Sequence, residues 1–183
     1  MPISTPERLG TAIINSVSAG ALVINLSVAL THHSSQGRGQ LDEALNHAAQ
    51  RGVLVVAAAG NQGTIGTSAI TAHPWVIPVT SCDIQGRPTP ESNLGNSIGR
   101  KGLAAPGENI TSIGSDGLLG TFHGTSAAAP FVTGAIALLW SEFPEASAAR
   151  IMRAVMRPDG RIRRAIAPAL LNAWAAFMAM SAN

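Results

Sequence analysis

Apolar positions along the 183-residue chain change period several times, and each change marks an element. In PERLGTAIINSVSAGA (6–21), Leu9, Ile13, Ile14 and Val17 fall on one helical face, with Gly20 as the stop. LVINLSV (22–28) is a short β-branched run bounded by small residues and predicts a strand. The helical period returns in GQLDEALNHAAQRG (39–52), with Leu41, Ala44, Leu45 and Ala48 inside and Gly52 at the stop. VLVVAAAG (53–60) is apolar throughout, as a strand covered on both faces is. VIPVTSCD (76–83) predicts a third strand and GLAAPG (102–107) a short fourth. GENITSIG and GLLGTFHG read as a hairpin leading into a long helix that opens near Ser126. The last apolar stretch, AIAPALLNAWAAFMAM (165–180), predicts a packed terminal helix.

Helices and strands alternating through short loops predict an α/β fold, a parallel sheet with helices on both faces. No internal repeat or linker divides the chain, so residues 1–183 form one domain or part of one, ending in a terminal loop and packed helix over 158–183. With 46% hydrophobic and 12% charged residues, the composition favours a buried sheet over a solvated coil. A net charge of +2 is too small to imply a nucleic-acid partner, and Arg157, Arg161, Arg163 and Arg164 read as a solvated loop. No membrane partner is expected either. The terminal apolar stretch is shorter than the ~20 residues a span needs, and it contains Pro168 and Asn172. The N-terminus lacks the basic start and apolar run of a signal peptide, which makes cytoplasmic the default location. A lone Cys82 supports neither an internal disulfide nor a metal site, and reads as a small buried hydrophobe or a strand end. No cofactor is expected.

In parallel sheets chemistry gathers at the carboxyl ends of the strands, which points to Ser27, to Gly60 with Asn61, and to Ser126. A hydroxyl at a helix N-terminus gains from the dipole and from backbone N–H groups that can face an oxyanion, and the Asn61 amide could donate to the same oxygen. Ala127, Ala128 and Ala129 allow close packing on the sheet, and Pro130 is expected in the first turn. Ala128 stands where a GxSxG elbow needs its second glycine, which disfavours an α/β-hydrolase. Two plainer readings stand beside this one: Ser126 as a helix cap and Asn61 as a turn residue.

At these residues the sequence resembles the subtilisin-like serine proteases. HGTSAAAPFVTG (123–134) resembles the block around their nucleophile, and VLVVAAAGNQG (53–63) their oxyanion block. ALVINLSV (21–28) is similar to their substrate-binding strand, and GLAAPGENITS (102–112) to the A-P-G segment before the nucleophile. CDIQGRPTPESNLG followed by APGEN resembles the proteases of cyanobactin-type precursor maturation. The resemblance implies Ser126 as nucleophile, with its N–H and the Asn61 side chain as oxyanion hole. It implies that Ser27, Val28 and Ala29 pair with an extended substrate, and that Ala58, Ala59 and Gly60 wall the pocket before the cut. Thr125 would support Asn61.

The departures matter equally. Val28-Ala29 replace the family's usual glycine pair, and His123 stands where small polar residues are common. The family's aspartate and histidine blocks, D-[ST]-G and H-G-T-x-V-A, have no counterpart here. His32 and His33 read as loop residues, His47 and His73 as surface or packing residues, and His123 matches no family base. Asp42, Asp83, Asp116 and Asp159 likewise match nothing. Without a base the serine stays protonated and weakly nucleophilic. Three readings follow: the C-terminal part of a peptidase domain acting on a peptide or protein, with the rest supplied in cis or in trans; a non-catalytic peptide-binding module; and an unrelated α/β protein whose Ser126 caps a helix. Any structural calcium would be a matter for the complete domain and is not legible here.

Overall fold

The computed structural model describes residues 3–30, 37–156 and 166–182. The first half of the chain gives β1 (Ile3–Ser4), α1 (Pro6–Ser18), β2 (Val23–Leu26), β3 (Ala29–Leu30), α2 (Arg38–Gln50) and β4 (Leu54–Ala58). Next come α3 (Ala69–Ala72), β5 (Val76–Cys82), α4 (Asn96–Lys101), β6 (Leu103–Pro106), β7 (Ile110–Ile113) and β8 (Leu119–Phe122). The chain closes with α5 (Thr125–Glu142), α6 (Ala148–Met156), β9 (Ala169–Leu170) and α7 (Ala173–Ser181).

β4 and β5 are buried at every position, as runs apolar on both faces must be in a sheet covered twice. They form the middle of a five-stranded sheet of order β2-β4-β5-β6-β9 in which every pairing is parallel. The period of two along β4 divides the core. Leu54 and Val56 pack with Ile77, Val79, Val132 and Ile136 on the α5 side, whereas Val55 and Ala57 join Leu9, Ile13, Leu41 and Leu45 under α1 and α2. The α/β architecture with helices on both faces is therefore the one the pattern predicted. β7 and β8 form a separate antiparallel hairpin that delivers the chain to α5.

Several local expectations are corrected. Ile14 is half-exposed while Leu9, Ile13 and Val17 are buried, because the inward face of α1 is narrower than the apolar run. Strand 22–28 stops at Leu26, and Ala29–Leu30 pair instead with Ile3–Ser4 in a two-stranded ladder. The terminal stretch 165–180 is not one helix. Ala169 and Leu170 extend the sheet beside Leu103 and Ala104, and α7 starts only after Asn172 caps it through Ala175 N–H. The arginines at 157, 161, 163 and 164 lie outside the described residues. Cys82 closes β5 and is buried, fitting both of its expected roles. No helix of the described residues is long and apolar enough to cross a membrane.

One cation holds the edge of this core. Lys101, ending α4, donates its ammonium to the carbonyls of His73 and Val76, which fastens the loop between α3 and β5. Burial pushes its pKa from 10.5 down to about 8. Between those values the unfolded chain binds more protons than the folded one, so the lysine makes stability rise with pH across that window. Lys101→Met keeps the stem but cannot titrate. It is expected to lose this rise, which melting temperatures of both proteins across the window will read.

Candidate active site

The helix bearing Ser126 begins on glycine. Gly124 is the residue before α5 and adopts φ +88°, and Ser126 is the second helical residue. Its side chain therefore makes no cap, which removes the plain capping role expected of it. Its Oγ is buried and has no hydrogen-bond partner among the described residues.

The Ser126 carbonyl is held by an arrangement that the sequence did not reveal. Pro130 is the sixth residue of α5, not in its first turn, so it lacks the N–H that would bond the carbonyl four residues back. The Ser27 hydroxyl donates to that carbonyl instead, at 3.1 Å, and itself accepts from Asn25 Nδ2 at 2.9 Å. The end of β2 is thus fastened to the turn that carries Ser126.

Asn61 is fixed from the same turn. Its Oδ1 accepts from Thr125 N–H at 2.9 Å and from Thr125 Oγ1 at 2.8 Å, while Gly60 N–H donates to Thr125 Oγ1 at 3.2 Å. With its carbonyl doubly engaged, the amide can only present Nδ2 as a donor. That nitrogen lies against Gly124: a Cβ there would come within 2.6 Å of it. Glycine is thus required twice at 124, for the positive φ and for this approach. Gly124 N–H in turn donates to Gly107 O at 2.7 Å, joining the A-P-G segment to the serine turn.

Two cavities flank the pair. Val28, Ala58, Ala59 and Gly60 line a pocket of about 120 Å³ with Thr67 and Ile70, and no charged side chain of the described residues lines it. On the other side Ser126, His123, Phe122, Ala127, Pro130 and Phe131 border an open cleft of about 500 Å³.

The described histidines stay off the serine. His123 lines the cleft, but its Nδ1 accepts from Asn109 N–H at 3.3 Å. His73 is a buried packing residue bonded to Asn46, and burial lowers its pKa against the pull of Asp42, with Lys101 lowering it further. His47 lies in the last turn of α2. Asp83 is paired with Arg87, and Asp116 accepts from Leu118 N–H in the hairpin turn. His32, His33 and Asp159 lie outside the described residues. No group of three His, Cys, Asp or Glu side chains could hold a metal among the described residues.

The sequence profile of the subtilase family matches residues 2–163. The chain belongs to the subtilase family. This subtilase is 37% identical over 138 residues to the thermophilic serine proteinase of Bacillus sp. (strain AK1), covering 75% of this chain and 33% of that protein. Among solved structures it is similar to the patellamide maturation protease PatA, with a TM-score of 0.86 at 31% identity, covering 97% of this chain and 70% of that one. The prenylagaramide maturation protease PagA gives a TM-score of 0.86 at 26% identity, covering 97% and 68%. The likeness to maturation proteases seen in the sequence is therefore matched in the fold. The chain spans about a third of its curated relative's length.

One residue beside Asn61 escaped the sequence reading. Asn93 touches the loop bearing Asn61 through its side chain, from thirty residues away. A clasp between segments some thirty residues apart leaves no local pattern to read.

Proposed function

We propose that this chain carries the nucleophile and oxyanion hole of a serine endopeptidase. The observation that carries the reading is the pair formed by the Ser126 hydroxyl at the start of α5, without a partner among the described residues, and an Asn61 amide whose carbonyl is engaged by Thr125. Ser126 attacks the scissile carbonyl. The developing oxyanion receives hydrogen bonds from Asn61 Nδ2 and from Ser126 N–H at the positive end of α5. The extended substrate runs beside Ser27, Val28 and Ala29, with the residue before the cut in the pocket of Ala58, Ala59 and Gly60. That pocket's neutral lining suits an uncharged side chain. The peptide beyond the cut leaves through the cleft beside His123. The base and its orienting carboxylate come from a further segment, in cis or in trans, and no cofactor enters the reaction.

Labelling with a fluorophosphonate and hydrolysis of a peptide library test this together. With the chain joined by that further segment, labelling at Ser126 and turnover that Ser126→Ala abolishes are the expected result. Turnover that survives Ser126→Ala overturns it. A second reading, a peptide-binding module without turnover, draws on the absence of any described histidine bonded to Ser126. It would show as peptide affinity with no labelling under any condition.

A further inference from the structure

Thr125 orients the Asn61 carbonyl, yet the main chain from which Asn61 hangs is intrinsically soft. It is flanked by Gly60 at φ +107° and Gly63 at φ +62°, and glycine loses more freedom on ordering than any other residue. Something else must hold this loop. Asn93 does so with five side-chain hydrogen bonds. Its Oδ1 accepts from Gln62 N–H, Thr64 N–H and Thr64 Oγ1 at 3.0–3.1 Å, and its Nδ2 donates to Ala59 O at 3.2 Å and Gln62 Oε1 at 2.7 Å. Its own N–H donates to Gly60 O at 3.0 Å. One side chain thus grips the backbone on both sides of Asn61. The flanking segment adds a ladder, from Gly63 N–H to Glu91 O and from Leu94 N–H to Thr64 O.

The fit is close on both sides. A Cβ at Gly60 would come within 2.4 Å of Asn93 Nδ2, so the glycine makes room for the amide. Only asparagine offers acceptor and donors at this length: aspartate has no N–H for Ala59 O, and glutamine is a methylene longer. Asn93 also lines the pocket formed by Val28, Ala58, Ala59 and Gly60.

We propose that Asn93 is a positioning residue, which by clasping residues 59–64 sets both the aim of the Asn61 amide and the wall of the acyl-side pocket. The inference rests on the reading of Asn61 as oxyanion donor. Asn93 touches no reacting atom and acts through Asn61. Small displacements of such groups are costly, about 10² in rate for 1 Å. Asn93→Ala is therefore expected to lower kcat roughly tenfold to a hundredfold.

The test is a double-mutant cycle on the active protein. In an Asn61→Ala background the kcat effect of Asn93→Ala is expected to vanish, while its effect on KM, which comes from the pocket wall, persists. Equal fold-losses of kcat in both backgrounds would reduce Asn93 to a structural residue and overturn the proposal. Where Asn93→Ala does not fold, Asn93→Ser carries the same comparison. Lack of Ser126-dependent turnover would count against the peptidase reading instead. The Asn61 side-chain NH₂ resonances and the Gln62 and Thr64 amide exchange rates then decide: shifted and accelerated in the variant they support the clasp, and unchanged they overturn it.

Discussion

Asn61→Ala is expected to lower kcat by about 10²–10³ with little change in KM, the range for losing one oxyanion donor. The selectivity for kcat follows from when the bond forms. A neutral carbonyl gains little from the amide, whereas the negative oxygen of the tetrahedral intermediate gains much, so the loss falls on the transition state. The hydrogen bonds around Asn61 fit a donor that acts without reorganising. Thr125 occupies its carbonyl twice and Gly124 leaves space for its nitrogen, so the donor is aimed before substrate arrives. Steady-state kinetics on the variant check it. A loss confined to KM would return Asn61 to an ordinary turn residue.

Much of this arrangement was legible in the sequence, and the reasons differ by element. The central strands announced themselves because β4 and β5 are covered on both faces, so every position had to be apolar or small. Helices α1 and α2 were clear because each buries one face and solvates the other. Most of what escaped was either short or non-local. α3 is one turn, stabilised by the reciprocal Ser68–Thr71 capping bonds, too brief for any period to show. β9 is two residues whose strand character comes wholly from the neighbouring β6. α6 carries Ile151 and Val155 one turn apart behind Ser147, a signal that was present but not read. Asn25, Ser27 and Asn93 gained their long-range partners, Thr133, the Ser126 carbonyl and the Ala59 carbonyl, only when distant segments met. The serine turn showed itself through composition, since glycine before the helix and alanine after it are what close approach requires.

The other large effect concerns the proton on Ser126. The 183-residue chain alone is expected to cleave peptides on the order of 10⁴–10⁶-fold more slowly than the same chain joined by a segment that brings a histidine and its carboxylate. The oxyanion donors act on charge that has already developed, but the hydroxyl must first lose its proton, and nothing described accepts it. The fold offers a place for such a segment. β2 is the edge of the sheet among the described strands, with β4 on one side only, and an open parallel edge invites another strand. Leu22 at 59% and Leu138 at 71% leave apolar surface exposed. A polypeptide with an aspartate ending a β-branched strand, followed by an H-G-x-x-V-A helix start, would add to that edge and bring its imidazole toward Ser126. Titrating it into the chain, or fusing it in front, should raise both fluorophosphonate labelling and hydrolysis, and Ser126→Ala should cancel the gain. Robust turnover by the chain alone that is lost in His123→Ala would overturn this and make His123 the base.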